Sequence, residues 1–367
     1  MPSKIEESVV VTGREFNVSP KEKIDVGILG ATGTVGQQFI ALLAGHPWFR
    51  TTWLAASERS SGKRYGDLAW RLPVATPADV AKLSVEALTP GVGPKLVFSA
   101  LDSSVAGEAE TAFAAAGHIV LSNSRNHRMD ALVPLLIPEI NPDHLGLLAA
   151  QQKKENRKGA IITNPNCSTM FLAIALAALR KFQPKRVLVT TLQALSGAGY
   201  PGVASLDATA NVIPVVDGEE EKMETETCKI LGEFRAGAIV PHPMTISAAT
   251  TRVPVVNGHT ETVSVEFEKT VSREEILDAF QNFSGEPQEL RLPSAPPQPV
   301  IYLDAPNRPQ PRLDVDREGG MVVHVGRLRT CPVLGYKFVI LGHNTIRGAA
   351  GAAILNAELM AAKNLLD

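Results

Sequence analysis

Cysteine is scarce in this sequence, which has only Cys167, Cys228 and Cys331 among its 367 residues. An odd number of widely spaced cysteines excludes a disulfide framework and does not form a zinc-binding pattern. We therefore expect no metal site and a reducing compartment, the cytoplasm.

Long hydrophobic runs and a strong net charge are also missing. No apolar stretch reaches the roughly 20 residues that a membrane-spanning helix needs. Residues 1–23 contain acidic residues but no apolar core of a signal peptide, and we interpret them as a flexible or loosely docked extension. A net charge of −2 gives no overall attraction to nucleic acid or to an anionic membrane, so neither is expected as a partner.

The sequence from residue 24 to residue 163 alternates between strand-like and helical segments. This order is typical of a parallel sheet covered by helices on both faces. Further strand-like segments at 185–192, 250–256 and 260–267 indicate a mixed or antiparallel sheet in the second half, with Val256–His259 as a turn between the last two. The C-terminal helical segment, from Thr345 onward, is expected to return to the first half.

Two polar or proline-rich stretches interrupt these segments. Residues 151–158 (QQKKENRK) are charged and predict a surface loop before the strand 160–163. Residues 292–312 contain many prolines, which in isolation are typical of a linker. Because this stretch lies between two strand-like segments, we expect an ordered, extended connection.

The first predicted strand ends in a glycine-rich turn that opens a helix, GATGTVG at 30–36. Glycines permit a tight turn, close approach of the backbone to a pyrophosphate and close helix–strand packing, and the helix N-terminus faces the anion. In this strand–turn–helix context the motif favours a dinucleotide site over a purely structural turn. The residues expected to line it are Gly30, Thr32, Gly33, Thr34, Val35 and Gly36.

The second predicted strand is followed by a polar run, ASERSSGK at 56–63. An acidic residue at the end of this strand usually binds the ribose 2′-hydroxyl of NAD and repels a 2′-phosphate. The hydroxyls and cations of Ser57, Arg59 and Ser60 suit a phosphate and favour NADP, whereas Glu58 favours NAD unless its side chain points outward. A solvated polar loop is the alternative for each of these residues.

Cys167 lies in the segment NPNCST, directly before a long apolar helical segment. A cysteine at a helix N-terminus is close to unpaired amides and to the positive end of the helix dipole, which stabilise a thiolate and a developing oxyanion. An arbitrary cysteine is more often inert packing, but this context indicates a nucleophile. Cys228, in a charged helical stretch, and Cys331, beside Pro332, have no such setting.

A cysteine nucleophile needs a proton acceptor, which is usually a histidine. The chain has eight histidines, and the sequence alone does not rank them cleanly. His259 is the candidate that we favour, because it lies in a turn-like segment after a strand that carries Arg252. A turn can present an imidazole to a cleft, whereas His118 and His324 lie within strand-like segments.

At these residues the chain resembles the aspartate-semialdehyde dehydrogenase family, in its archaeal and fungal branch. The resemblance runs from about residue 25 to the end of the sequence, and its motifs occur in the order of the family. They are GILGATGTVGQQF, ASERSSGKRYGD, SNSRNHRMD, PLLIPEIN, ITNPNCSTM, LQALSGAGYPG, EEEKMETETCKIL, TTRVPVVNGHT and LGHNTIRGAAG.

The resemblance implies an activity for the chain. It is an NADP-dependent, phosphorylating interconversion of L-aspartate 4-semialdehyde and 4-aspartyl phosphate through a cysteine thioester. This reaction belongs to the biosynthesis of aspartate-derived amino acids such as threonine, methionine, lysine and isoleucine. The resemblance also implies a homodimer or homotetramer.

The resemblance further implies roles for single residues. Cys167 is the nucleophile and His259 the general acid/base. Arg252 binds the substrate carboxylate, a contact that suits a bidentate guanidinium. The remaining roles are the substrate amino group for Glu219, acyl-group orientation for Gln193, phosphate contacts for Lys222, Asn166 and Arg128, and cofactor contacts for Ser196, Gly197 and Asn344.

Some of these assignments have competitors. Glu219 gives the E-x-x-K spacing of the family, but Glu220 and Glu221 adjoin it, and such a charge run is usually a solvated helix face. Arg125 competes with Arg128 for phosphate.

The resulting prediction is an α/β chain in three parts. Residues 1–23 form the extension. Residues 24–165 and 344–367 form an NADP-binding domain with a Rossmann-like, doubly wound parallel sheet. Residues 166–343 form an α+β catalytic and dimerisation domain with a mixed sheet.

Three alternative functions fit parts of the pattern. N-acetyl-glutamyl-phosphate reductase and acyl-CoA reductase use the same scaffold, but Asn166 before the cysteine and the E-x-x-K segment favour the aspartate enzyme. A non-catalytic NADP-binding redox sensor is the alternative of another class. It needs no substrate-binding set such as Arg252, Gln193 and Lys222, so their joint presence disfavours it.

Overall fold

The fold is described from a computed structural model that covers residues 9–11, 14–16 and 22–366. Most of the predicted N-terminal extension, 1–23, lies outside these described residues. Its described parts are two short strands that pair antiparallel.

The strands and helices follow one another along the whole described chain. The strands are β1 (Val9–Val11), β2 (Arg14–Phe16), β3 (Ile24–Leu29), β4 (Phe49–Ala55), β5 (Val85–Glu86), β6 (Leu96–Ser99), β7 (Ile119–Ser122), β8 (Ala160–Thr163), β9 (Pro184–Gln193), β10 (Glu233–Arg235), β11 (Ala238–Val240), β12 (Thr245–Arg252), β13 (His259–Phe267), β14 (Val300–Leu303), β15 (Val323–Cys331) and β16 (Gly335–Gly342). The helices are α1 (Thr34–Leu43), α2 (Ser103–Ala115), α3 (Leu147–Glu155), α4 (Cys167–Ala178), α5 (Ser205–Ala208), α6 (Glu219–Ile230), α7 (Arg273–Gln281), α8 (Glu286–Glu289), α9 (Pro311–Asp314) and α10 (Gly351–Ala362).

The first large sheet is parallel, as the alternating segments predicted. Its strand order is β5-β4-β3-β6-β7-β8. Strands β6, β7 and β8 are buried along their whole length, which is the expected pattern for a sheet covered on both faces. The glycine-rich turn follows β3 at the carboxyl edge of this sheet, where ligands bind in doubly wound folds.

The C-terminal helix completes the core of this first sheet. Helix α10 is preceded by a π-helical turn, Ile346–Ala350, and buries Ile354, Leu355, Leu359 and Met360. These side chains belong to one apolar cluster with residues of β3 and α1, such as Ile28. The expected return of the C-terminal segment to the first half is therefore observed.

The second large sheet is mixed, with the strand order β12-β9-β13-β16-β15-β14. The outer pairs β12–β9 and β15–β14 are parallel, and the three inner pairs are antiparallel. Helix α4 packs against one face, where Phe171 and Leu172 join an apolar cluster with Val189 and Val263. This arrangement places the N-terminus of α4 at the sheet end formed by Gln193, Arg252 and His259.

Several predictions of local structure were wrong. The segment expected as a strand at 250–256 begins earlier, at Thr245, and ends at Arg252. The turn at 256–259 does not form a hairpin, because β9 lies between β12 and β13 and pairs with both. Residues 151–155 are the last turns of helix α3, whose residue Gln151 is buried and bonds to Ile161.

The proline-rich stretch 292–312 follows an ordered path, as expected. It contains strand β14, which pairs with β15, and the start of helix α9. A linker interpretation is therefore excluded.

A buried ion pair connects the loop 134–141 to the C-terminal segment. Arg347 donates from Nη1 and Nη2 to the two carboxylate oxygens of Glu139, at 2.8 and 2.7 Å. Both side chains are fully buried. The bidentate geometry compensates two charges that would otherwise be costly to remove from water.

We predict that Arg347→Met lowers the free energy of unfolding by about 3–5 kcal/mol, because it leaves the Glu139 carboxylate buried and unpaired. Urea denaturation measures this change. The control is Arg50→Met, which removes an exposed ion pair with Asp25 and should leave the unfolding midpoint nearly unchanged. A stability of Arg347→Met equal to that of the unmodified chain would contradict the prediction.

Candidate active site

Cys167 is the first residue of α4, as the sequence predicted, and Asn166 caps this helix. The Asn166 Oδ1 atom accepts hydrogen bonds from the backbone amides of Ser168 and Thr169, at 3.0 and 3.2 Å. These amides are therefore already paired. The expectation that amides of this terminus hold a developing oxyanion is therefore not met for these two, because the cap occupies them.

Cys167 is surrounded by charged side chains of both signs. Burial, and next the negative charge of Glu219, raise the pKa of its thiol to about 12, although Arg128, the Ser168 amide and Arg252 act in the opposite direction. The amides and the dipole at the helix N-terminus were expected to stabilise a thiolate at this cysteine. That expectation is not met, because desolvation outweighs the dipole and the two arginines.

Glu219 begins helix α6 and lies in the same cluster. Its Oε2 accepts from Asn166 Nδ2 at 2.5 Å, and its Oε1 accepts from Lys222 Nζ at 2.7 Å. Glu220 instead accepts from the backbone of Thr250, and Glu221 is exposed. Of the three adjacent glutamates, only Glu219 is directed towards Asn166 and Cys167.

Gln193, Arg252 and His259 lie side by side on three neighbouring strands. Arg252 on β12 is in register with Gln193 on β9, and His259 begins β13 on the other side of β9. Arg252 Nη1 donates to the carbonyl of Ala194 at 2.8 Å and approaches Gln193 Oε1 at 3.5 Å. All three side chains are buried.

His259 was expected in a turn but is the fully buried first residue of β13. Its Nδ1 accepts from the Ala194 amide at 2.9 Å, while its Nε2 is buried without a partner among the described residues. Burial, and next the charge of Arg252, lower its pKa to about 3, so the ring is neutral. The bond from Ala194 assigns the proton of the neutral ring to Nε2.

The two arginines that are candidates for phosphate binding differ in burial and in the group that each one faces. Arg128 is buried and acts electrostatically on Cys167, whereas Arg125 is exposed and acts on Asp102. Arg128 Nη1 donates to Glu226 at 3.0 Å, and its Nε is buried without a partner among the described residues.

Ser196, Gly197 and Asn344 lie next to this cluster. Asn344 donates to Ser196 Oγ at 2.8 Å and accepts from the amide of Gly258 at 2.9 Å. A Cβ at Gly197 would lie 2.9 Å from both Arg252 Nη1 and His259 Cε1. Glycine at this position therefore leaves room for the close approach of the two side chains, and a larger residue would displace them.

A cavity of about 890 Å³ lies at the carboxyl edge of the parallel sheet. A Cβ at Gly36 would be 2.3 Å from the carbonyl oxygen of Gly30, so the turn is closed by glycine. A second cavity, of about 680 Å³, shares Thr34, Arg71 and Tyr200 with the first and extends to Ser196. The predicted cofactor residues that line the first cavity are Gly30, Thr32, Gly33, Thr34, Val35 and Ser57.

The polar turn after β4 is only partly in this cavity. Ser57 and Glu58 line it, whereas Arg59 and Ser60 do not. Arg59 is exposed, and the Ser60 amide donates to the carbonyl of Ser57. Glu58 is exposed but faces the cavity, so its side chain does not point wholly away from a ligand.

Sequence reasoning missed three features of the site. Glu226 and Lys229 lie on the buried face of α6, seven residues after Glu219 and Lys222, and this repeat was a signal in the sequence. The guanidinium of Arg71 stacks 3.5 Å from the ring of Tyr200 where the two cavities meet, for which the sequence holds no signal.

Within the described part of the chain, no helix is long and apolar enough to cross a membrane. The same residues contain no cluster of three or more potential metal ligands.

Two family models match most of the chain. The NAD binding domain of semialdehyde dehydrogenases matches residues 25–148, and the dimerisation domain of semialdehyde dehydrogenases matches residues 176–347. A Rossmann-like sheet with a glycine turn, followed by a mixed-sheet domain with a cysteine at the first position of a helix, thus defines the semialdehyde dehydrogenase class.

Individual relatives narrow this class. The aspartate-semialdehyde dehydrogenase of Archaeoglobus fulgidus is 49% identical over 94% of this chain and 100% of its own length. That of Cryptococcus neoformans is 47% identical over 95% of this chain and 100% of its own. A crystal structure of the Candida albicans enzyme with NADP has a TM-score of 0.87 and 41% identity, covering 94% of this chain and 100% of that one. The chain belongs to the aspartate-semialdehyde dehydrogenase family, and the expected likeness to archaeal and fungal members is confirmed.

We predict that alkylation of Cys167 by iodoacetamide accelerates about tenfold per pH unit between pH 7 and pH 9, because only the thiolate reacts and its pKa lies near 12. The fraction of unmodified Cys167 peptide, measured by mass spectrometry, gives the rate. Cys331 serves as the internal reference, since hydrogen bonds from the backbone of Leu334 and Val333 lower the pKa of its thiol. A Cys167 rate that levels off below pH 8 would show that the thiol is ionised at rest.

Proposed function

We propose that this chain is an NADP-dependent, phosphorylating aspartate-semialdehyde dehydrogenase of amino-acid biosynthesis. The observation that carries the proposal is the position of Cys167 at the N-terminus of α4, between Glu219, Arg128 and Arg252. One thiol there has both a carboxylate and two guanidinium groups within electrostatic reach, which suits a small substrate with charges of both signs.

The residues present fit a dinucleotide. Gly30 and Gly36 permit the close backbone packing of the turn before α1, while Gly33 lines the cavity that the N-terminus of this helix also faces. Backbone amides at such a turn suit a pyrophosphate. Ser57 and Arg71 line the cavity as hydrogen-bond donors for a 2′-phosphate. Ser196, which accepts a hydrogen bond from Asn344, lines the second cavity next to the residues around Cys167. When bound, NADP accepts the hydride that the substrate carbon loses.

Substrate recognition follows from the charges around the thiol. Arg252 offers a bidentate donor edge to the α-carboxylate, and Glu219 accepts a hydrogen bond from the α-ammonium group. Gln193, beside Arg252, orients the acyl group. Asn166 Nδ2 lies 2.5 Å from Glu219 Oε2 and 4.0 Å from the Cys167 sulfur. This proximity favours a substrate whose ammonium group is close to its aldehyde carbon.

The covalent step is attack of the Cys167 sulfur on the aldehyde carbon, with formation of a carbon–sulfur bond. The thiol proton ends on the aldehyde oxygen, giving a thiohemiacetal. His259 presents a proton on Nε2 and can donate a hydrogen bond to this oxygen while charge develops on it. Accepting a proton at Nε2 requires the other tautomer of the ring, which breaks the bond from the Ala194 amide.

Phosphorolysis completes the reaction. In the oxidation the hydroxyl proton of the thiohemiacetal passes to Nε2 of His259, in the other tautomer of the ring, and leaves a thioester on Cys167. Phosphate then attacks the carbonyl carbon, the carbon–sulfur bond breaks, and the proton returns to the sulfur, which regenerates the thiol. Lys222, Asn166 and Arg128 hold the phosphate in this proposal. The unpartnered Nε of Arg128 supplies a buried donor for that anion.

We extend the proposal to domain organisation and location. The cofactor domain comprises 24–165 and 344–367, supported by the packing of α10 into the first apolar cluster, and the catalytic and dimerisation domain comprises 166–343. A cytoplasmic location keeps the nucleophilic thiol reduced.

The proposal also includes a homodimer, which can pair further into a tetramer. The face of the mixed sheet opposite α4 is exposed and carries Leu188 and Leu192 on β9, which are 47% and 37% exposed. The residues in register with these two leucines on β12 and β13 are uncharged: Ser247, Thr251, Thr260 and Ser264. The same face carries the ion pair of Arg186 and Glu266 at one end. A partly apolar sheet face whose charges are paired suits burial against a second copy.

The function predicts NADPH formation that depends on phosphate, with aspartate semialdehyde as the substrate and NADPH absorbance as the measurement. Cys167→Ala should abolish turnover and retain NADP binding, measured by fluorescence titration. Parallel assays with N-acetylglutamate semialdehyde and with an aldehyde plus coenzyme A distinguish the related activities. Turnover without phosphate, or normal turnover of the Cys167 variant, would reject the proposal.

The dimer predicts that Leu188→Lys converts the assembly to monomers at micromolar concentration, because it places a charge in the proposed interface. Light scattering after size exclusion measures the molar mass. Leu313→Lys, at a 52% exposed position on α9, is the matched control and should leave the mass unchanged. A monomeric parent protein would contradict the proposal.

A further inference from the structure

Helix α6 carries a charged stripe along its buried side. Glu219 and Lys222 are repeated seven residues later by Glu226 and Lys229. Because seven residues are close to two helical turns, all four side chains project from one side of the helix. The first pair lies in the proposed substrate site, whereas the second pair has contacts that the proposed reaction does not yet use.

Glu226 connects the nucleophile turn to Arg128. It is 2% exposed. Its Oε2 accepts from the backbone amide of Asn166 at 2.7 Å, and its Oε1 accepts from Arg128 Nη1 at 3.0 Å. One carboxylate thus fixes the residue that caps the Cys167 helix and the guanidinium beside the thiol.

Lys229 holds the loop that carries Arg128. Its Nζ donates to three backbone carbonyls, those of Arg128, Asp130 and Val133, at 2.6, 2.8 and 3.0 Å. Three donors are the full capacity of an ammonium group. Burial lowers the pKa of Lys229 to about 8, so the charged ammonium form prevails at pH 7.

The two contacts leave Arg128 with a defined free edge. Its Nη1 is bonded to Glu226 and its Nη2 donates to the carbonyl of Asn123 at 2.8 Å, while Nε has no partner among the described residues. A planar guanidinium binds an oxyanion well only in a fixed orientation. Glu226 and Lys229 supply that orientation, from the side chain and from the backbone respectively.

We propose that Glu226 and Lys229 are positioning residues for phosphate, which act through Arg128 and touch neither phosphate nor the acyl group. This inference rests on the proposed function, in which Arg128 binds the phosphate that cleaves the thioester. The function assay requires only Cys167 and phosphate-dependent turnover, so the two can fail separately.

Glu226→Gln is the variant that tests the contact to Arg128 most directly. The amide keeps the size of the side chain, and its oxygen can still accept from the Asn166 amide. Its NH₂ group then faces Arg128 Nη1, so two donors oppose each other and the guanidinium loses its orientation. Lys229→Met removes the three donors to the loop while retaining most of the side-chain volume.

The experiment is steady-state kinetics of the full-length enzyme at pH 7 with inorganic phosphate varied. Glu226→Gln and Lys229→Met should each raise the KM for phosphate about tenfold or more. The kcat at saturating phosphate and the KM for NADP should stay within about threefold. Glu274→Gln and Lys153→Met, at exposed positions on α7 and α3, are the matched controls and should change neither constant.

A double-mutant cycle tests whether the effect passes through Arg128. Arg128→Ala alone should raise the KM for phosphate, and adding Glu226→Gln should raise it no further, because the orientation of a missing side chain cannot matter. Additive effects, or an unchanged KM in both positioning variants, would overturn the inference. So would a fall in thermal stability with no change in the KM, which a purely structural role would give.

The outcomes separate this inference from the function. Phosphate-dependent turnover with an unchanged KM in Arg128→Ala would overturn the inference and leave the activity standing. Turnover without phosphate would reject both. If Lys229→Met does not fold, Glu226→Gln and Glu226→Asp carry the test, since the shorter carboxylate cannot span Asn166 and Arg128 and should also raise the KM.

Discussion

A single asparagine connects the separate parts of the reacting site. Asn166 caps helix α4 with its side-chain oxygen, donates from its side-chain nitrogen to Glu219, and donates from its backbone to Glu226. The position of Cys167 is therefore set by the cap, and helix α6 is held against the same turn. Replacing this side chain affects more than the terminus of α4, because Glu219 on α6 loses its donor at the same time, whereas the backbone bond to Glu226 remains.

Burial makes the largest contribution to the pKa of the Cys167 thiol. Two arginines and a helix amide act to lower the pKa of the thiol, but desolvation and Glu219 outweigh them. His259 is affected in the same way, since burial and Arg252 keep its ring neutral. The site at rest thus holds two neutral groups, and ionisation belongs to the reaction itself. A neutral thiol is also a poor target for oxidants, which react with thiolates.

The features that could be predicted from the sequence are those determined by residues close together along the chain. The parallel sheet, the glycine turn and the start of α4 at Cys167 each follow from a short continuous motif. The resemblance added the roles of Arg252 and Glu219, whose proximity to Cys167 no local pattern reveals. His259 was favoured from its turn-like segment, but the structure places it in a strand. The insertion of β9 between β12 and β13 was not predictable, because Val256–His259 has the composition of a hairpin turn and strand pairing is decided by packing. Glu226 and Lys229 were not predicted, because the E-x-x-K spacing of the family was assigned only to its first occurrence, at Glu219 and Lys222.

The packing of α10 has a consequence for biogenesis. This helix fills the core of the first sheet, yet it is translated only after the whole mixed sheet has been made. Until then the apolar surface beneath it stays uncovered while the nascent chain grows. The first half therefore completes its folding only after the second half has been synthesised. During that interval its exposed apolar surface is the part of the chain most prone to aggregation and to chaperone binding.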